Sequence, residues 1–169
     1  MTRGDAAAKS AEILHLLMIC FRNFELALDR FAHQHWELTA SQLRVLLYLR
    51  PGQAIPALHL ARRLHLDPGT VSGLIRRVRE KGLIKAEQLS ADRRVQLISL
   101  TPRGEEVRKE ILERAVATAP WQSLQSISDE ERQQILDGLT WLARQVTPPE
   151  VLEWSLGELR ALLGVAGDR

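Results

Sequence analysis

The sequence predicts a mostly α-helical chain that carries one small β-hairpin. Three observations predict it. Apolar residues recur at spacings of three and four through most of the chain. Capping signatures and proline or glycine breaks cut that pattern into separate helices. After Gly82, and only there, the period changes to two short strand-like runs on either side of a polar tip. With 169 residues, 45% of them hydrophobic, the chain is long enough to bury a core as one compact unit.

Leu14, Leu17, Phe21, Phe24, Leu28 and Phe31 form the apolar seam of a first helix. Ile13, Leu16, Met18, Ile19 and Cys20 widen its apolar surface beyond one stripe, so this helix needs cover from its own chain and from a second copy. Thr39 and Gln42 form a capping box that opens a second helix through Leu43, Val45, Leu46 and Leu49, which Pro51-Gly52 ends. A short helix spans about Pro56 to Leu64, with Leu58, Ala61 and Leu64 expected to point inward. The break Leu64-His65-Leu66-Asp67 follows. Asp67 is a good N-cap and Pro68 suits the first helical position. The helix they open carries Val71, Leu74, Ile75 and Val78 on one face and stops at Gly82. Leu83–Glu87 and Val95–Leu100 read as paired strands around the tip Leu89–Arg94. Thr101-Pro102 begins a helix expected to run to about Ala119, where Pro120 breaks it. Ser128 with Glu131 opens another, with Ile135, Leu139, Leu142 and Val146 on its stripe. A final amphipathic helix after Pro148-Pro149 carries Leu152, Leu156, Leu159 and Leu163.

Helix, short helix, tight turn, helix and two-stranded wing, in that order, make a winged helix-turn-helix. Charge agrees with it. From Arg62 to Arg94 there are nine basic and four acidic side chains, a local +5; against +2 for the whole chain, the remainder sums to −3. A local positive field of this kind fits a phosphate binder. On the helix from Asp67 to Lys81, the face opposite the buried stripe holds Gly69, Gly73, Arg76 and Glu80, flanked by Ser72 and Arg77. A major groove about 12 Å wide admits one such helix. Thr70 and Ser72 can bond bases or phosphates, Arg76 and Arg77 reach a guanine edge or a phosphate, and Gly69 and Gly73 let the backbone approach closely. Arg79 and Lys81 serve equally as solvated charges. At the wing tip, Asp92-Arg93-Arg94 reads as a minor-groove contact in which the carboxylate positions an arginine; a plain salt-bridged turn is the alternative. All eight aromatic residues lie outside Leu49–Pro120. Single-stranded bases are usually held on aromatic platforms, so the basic segment points to duplex DNA.

Three runs, LTASQLRVLLYL from Leu38, LARRLHLDPGTVSGLIRRVREKGLI from Leu60 and SADRRVQLISLTPRGEEV from Ser90, together resemble the MarR family of bacterial transcriptional regulators. The resemblance is close over Leu38–Val107. It implies a homodimer with winged-helix lobes on a helical dimerisation domain, binding short pseudo-palindromes, usually as a repressor released by a small ligand or an oxidant. On that pattern residues 1–37 are a dimerisation helix, 38–101 the DNA-binding domain, 102–147 further dimerisation helices, and 148–169 an added helix beyond the usual family end. Thr70, Ser72, Gly73, Arg76 and Arg77 fall in the DNA-reading helix, and Asp92, Arg93 and Arg94 in the wing. Gly73 departs from the polar or basic residue common at its position. A ligand pocket between dimerisation helices and wings is implied, with Trp36, His33, His35 and Arg50 as candidate lining for a small phenolic or aromatic effector.

Other functions find little support. There is no glycine-rich phosphate loop, no Cys/His spacing for a metal and no nucleophile–base pair, so no enzyme, cofactor or metal is expected; His33 and His35, two apart, face away from each other on a helix. A winged helix used only for protein contacts would not need the basic segment. Cys20, between Ile19 and Phe21, is expected to be an inert buried thiol rather than a redox sensor, and a single cysteine excludes an internal disulfide. The polar start and the short apolar run Ile13–Phe21 fit neither a signal peptide nor a membrane span, which places the protein in the cytoplasm at the nucleoid.

Overall fold

The computed structural model describes residues 3–89, 95–115 and 119–163. The elements run α1 (Arg3–Trp36), α2 (Ala40–Tyr48), β1 (Ile55–Pro56), α3 (Ala57–Leu64), α4 (Pro68–Glu80), β2 (Ile84–Gln88), β3 (Gln96–Leu100), α5 (Pro102–Ala115), α6 (Ala119–Gln125), α7 (Asp129–Val146) and α8 (Pro149–Leu163). The fold is mostly α with a small antiparallel sheet, as expected. β3 is the central strand, pairing with β2 from Ile84↔Leu100 to Gln88↔Gln96, and with β1 through Ile55↔Ile98 and Pro56↔Leu97. β1 had no sequence signal, and Pro56 belongs to it rather than to α3.

The core lies in the lobe made by α2, α3, α4, the sheet and the start of α5. Leu38, Leu43, Leu46, Leu49, Leu60, Val71, Val78, Ile84, Ile98 and Ile111 are fully enclosed there. The expected stripe of α4, Val71, Leu74, Ile75 and Val78, is buried throughout. In α3 the expectation fails at one position: Leu60 and Ala61 face inward, whereas Leu58 is 53% exposed. An eight-residue helix has too few turns for its period to decide which leucine is inside.

Both expected capping boxes form, Thr39 with Gln42 and Ser128 with Glu131. Pro120 does not break a helix at its end; it sits in the first turn of α6, where its missing N–H costs nothing. α1 ties to the lobe near its C-terminal end. Asp29 Oδ1 accepts the Ala40 N–H at 2.9 Å, and Arg44 pairs with Glu25 at 2.6 Å. Above that point its apolar surface is bare. Ile13, Leu14, Leu16, Met18, Ile19 and Phe21 are all exposed, Phe21 to 64%. Cys20 lies on the same bare surface, so within one protomer it is exposed, not buried. α7 buries no residue either, and Ile135, Leu139, Trp141 and Val146 face outward.

Candidate nucleic-acid interface

The site begins with the turn between α3 and α4. His65 ends α3 in the left-handed conformation (φ 52°), its N–H donating to the Ala61 and Arg62 carbonyls, and the Leu66 N–H reaches Ala61 O at 3.1 Å. These bonds satisfy carbonyls that the helix end leaves open, and they turn the chain sharply. Asp67 then caps α4. Its Oδ1 accepts the Thr70 N–H at 2.9 Å and its Oδ2 accepts the Thr70 hydroxyl. The Thr70 hydroxyl, followed by the Thr70 N–H, holds the Asp67 carboxyl below the usual carboxylate range. Gly82 closes the helix at φ 71°, where a side chain would be strained.

Burial of four apolar residues on one side of α4 leaves the other side open. Thr70, Ser72, Arg76 and Arg77 are exposed and Gly73 is half-buried, so the five expected residues of this helix share one accessible surface. Ser72 donates its hydroxyl proton to Pro68 O at 2.9 Å and keeps its lone pairs for an incoming donor. Arg76, its side chain 67% exposed, has only a loose contact with Glu80 at 4.0 Å, a geometry worth little in water. The Arg77 guanidinium lies back over Gly73, where a Cβ would stand 3.6 Å from Nη1. The glycine thus makes room for the neighbouring arginine as well as for a close backbone approach.

Not all of the basic segment is available. Arg63 Nη1 donates to Tyr48 O at 2.8 Å and anchors α3 to the end of α2, and Lys85 pairs with Glu87 at 3.2 Å. The wing residues Asp92, Arg93 and Arg94 lie outside the described residues.

The wing's base is joined to α5 by a motif whose role the sequence did not reveal. Thr101 donates its hydroxyl to Gly82 O at 2.7 Å and its N–H to Leu83 O at 3.1 Å, while its hydroxyl oxygen accepts the Gly104 N–H at 3.0 Å. Gly104 packs directly on this junction: a Cβ there would fall 1.9 Å from Leu83 O.

The residues named for an effector are only partly assembled. His35 and Trp36 cluster with Phe31 at ring separations of 5.1 to 5.4 Å. Trp36 Nε1 donates to Glu110 Oε2 at 3.0 Å, and Arg114 approaches His35 Nδ1 at 3.4 Å. His33 is exposed on α1. Arg50 lies beside Arg108 of α5, whose guanidinium is pushed below its usual range by burial first and by the Arg50 charge second. Among the described residues no group of three or more His, Cys, Asp or Glu could hold a metal ion, and no helix is long and apolar enough to cross a membrane.

Comparison with known proteins places this geometry. The family model described as "MarR family" matches residues 38–95, which hold the helix-turn-helix and β2 and stop just before β3. MgrA of Staphylococcus aureus, an HTH-type transcriptional regulator, is 36% identical over 76 residues, 45% of this chain and 52% of MgrA, so the match spans about half of that relative. The crystal structure of MarR superposes with a TM-score of 0.63 at 30% identity, covering 79% of this chain and 96% of that one. BpsR of Bordetella bronchiseptica, whose DNA binding is regulated by 6-hydroxynicotinic acid, superposes with a TM-score of 0.68 at 26% identity, covering 78% and 98%. Exposed α4, capped elbow, wing and the fit along the chain lead to one conclusion: this chain belongs to the MarR family of winged-helix, DNA-binding transcriptional regulators, a family of regulators and not of enzymes.

Proposed function

We infer that the protein acts as a homodimeric repressor on a pseudo-palindromic operator and that a small aromatic effector releases it. The observation that carries the reading is the division of the surface. α4 presents Thr70, Ser72, Gly73, Arg76 and Arg77 on one side of the lobe, while the bare apolar faces lie elsewhere, on α1 and α7. The first is suited to the major groove; the second needs a partner, because contiguous exposed apolar surface of this kind marks an association site. Residues 1–37 and 102–147 then form the dimerisation part and 38–101 the reading part, with two copies of α4 spaced about one DNA turn apart. Asp92, Arg93 and Arg94 complete the interface at the minor groove. Regulation of BpsR by 6-hydroxynicotinic acid supports an aromatic effector here, and a DNA-bound regulator of this kind works in the cytoplasm.

The test is selection of duplexes from a random library by the purified protein, followed by anisotropy titration on the selected and a scrambled site. Expected are a two-fold symmetric consensus, and a preference for the selected site that persists as affinity falls with salt. Equal affinity for both duplexes, or a protein that sediments as a monomer at micromolar concentration, would overturn the reading.

A further inference from the structure

Asp67 puts a negative charge at the tip of a helix that is to meet phosphates. Asparagine or serine would cap α4 as well without that charge. The carboxylate makes two bonds to one residue. Oδ1 accepts the Thr70 N–H at 2.9 Å, which is the cap; Oδ2 accepts the Thr70 hydroxyl, which a cap does not need. That hydroxyl first, and the Thr70 N–H second, hold the carboxyl below the usual carboxylate range. It is therefore ionised at neutral pH and can only accept. The Thr70 proton is committed to a charged acceptor, a bond about twice as strong as one between neutral groups. Asp67 and Thr70 are both exposed, so Thr70 Oγ1 shows lone pairs, and no proton, to whatever approaches. Ser72, with its hydroxyl proton on Pro68 O at 2.9 Å, has the same polarity, held by a neutral and so weaker acceptor. Arg76 and Arg77, one turn further on, offer only donors.

In the major groove every base pair carries one amino group, on adenine N6 or cytosine N4. Guanine and thymine present acceptors there and no amino group. A free threonine hydroxyl turns its proton either way and accommodates all four bases; one whose proton is already spent does not. We propose that Asp67 is a positioning residue acting through Thr70: by fixing the hydroxyl as an acceptor, it makes Thr70 select adenine or cytosine over guanine or thymine on the strand it faces. The consequence is a particular kind of consensus. One position in each half-site is shared between A and C, divided by amino against keto group and not by purine against pyrimidine. This inference rests on the reading of α4 as the helix that enters the major groove.

The test takes the duplex selected from the random library and replaces each base pair of one half-site in turn by the other three, with anisotropy titration of the full chain on each. At one position the parent should prefer A and C over G and T by about fivefold, the worth of one hydrogen bond. Thr70→Val keeps the shape and removes the hydroxyl, so it should flatten that position and leave the others as they were. Asp67→Asn should invert it. The new Oδ1 still accepts the Thr70 N–H, so α4 stays capped, but Nδ2 now donates to Thr70 Oγ1. The freed hydroxyl proton turns outward, and the same position should favour G or T. A merely weakened cap would lower affinity for every duplex alike and cannot exchange one base preference for another. Circular dichroism confirms that both variants fold. A Thr70→Val profile identical to the parent's, or an Asp67→Asn protein that binds all duplexes less well with its preferences unchanged, would overturn the inference. Selection of no consensus at all would instead overturn the DNA-reading role of α4, and this inference with it.

Discussion

Replacing Gly104 by alanine is the sharpest test of how the wing is held. Helix propensity alone says that Gly→Ala within α5 should stabilise by about 1 kcal/mol. The structure says the opposite. The added Cβ would lie 1.9 Å from Leu83 O, 2.9 Å from Leu83 C and 3.3 Å from Leu100 Cδ2. Carbon contacts settle near about 3.5 Å, so α5 would have to retreat by more than about 1 Å. The obstacle is backbone, and two hydrogen bonds from Thr101 to Leu83 O and Gly82 O fix it in place. Overpacking of this kind costs about 1–3 kcal/mol, and each weakened hydrogen bond about 1 kcal/mol more. Offset by the propensity gain, the net loss is about 2–4 kcal/mol, a fall in Tm of about 5–15 °C for a chain of this length. Gly138→Ala in α7 is the matched control. Nothing lies within 4 Å of its Cβ position, so the propensity gain of about 0.5–1 kcal/mol should appear intact. Thermal unfolding followed by circular dichroism reads both. A Gly104→Ala protein melting at or above the parent would refute the junction.

Four further outcomes are expected. Arg76→Ala should lose about 1–3 kcal/mol per half-site on the selected duplex and less on a scrambled one; equal losses would reduce Arg76 to a phosphate contact. At the wing, Arg94→Ala should weaken binding and lower the salt slope by about one unit per contact, and Asp92→Ala should weaken it too, although removing a negative charge near DNA argues for the reverse; tighter binding by Asp92→Ala would make that carboxylate a mere repelled charge. Phe21→Glu, placed on the bare face of α1, should shift sedimentation toward the monomer and weaken operator binding together, whereas an unaltered dimer would move the interface elsewhere. Because the folded Asp67 carboxyl is held below its ordinary value, its stabilisation is present above the unfolded pKa of about 3.9 and is lost as pH falls through the lower folded one; Asp67→Asn should therefore lose less Tm than the parent between about pH 5 and pH 2, and parallel slopes would count against the cap.

What could be read from the sequence follows from how local each signal is. The Thr39, Asp67 and Ser128 caps each depend on residues within one helical turn, and all three form where expected. The open face of α4 was legible because thirteen residues give a clear period. β1 was not, since two residues carry no period and their pairing partner lies more than forty positions away, with Pro56 permitted only because this is an edge strand. Leu58 was placed inside on a period too short to judge. Thr101 was read as the start of a helix, yet its role and that of Gly104 depend on Leu83, which only the folded hairpin brings beneath them. The thiol of Cys20 was expected to be covered because its neighbours are apolar; one protomer leaves the whole patch bare. The contact of α8 with the elbow, between His65 and Ser155, joins residues ninety positions apart, beyond any local pattern.

The junction at Thr101 and Gly104 also constrains how the protein can move. It leaves the base of the wing and the start of α5 without slack, while Asp29 and Arg44 pin α1 to the α2 end of the same lobe. On the proposed function, each protomer would then act as a stiff caliper arm, with α4 as its reading tip and α1 as its stem. In a dimer, the gap between the two tips is set by the angle at which the stems cross, and an adjustment of less than a helical turn in that crossing throws both tips out of phase with the DNA repeat. If two copies pair as proposed, sequence preference and half-site spacing become separate properties: the first would be set on α4, the second in the apolar surfaces of α1 and α7, and a substitution could alter either one without touching the other.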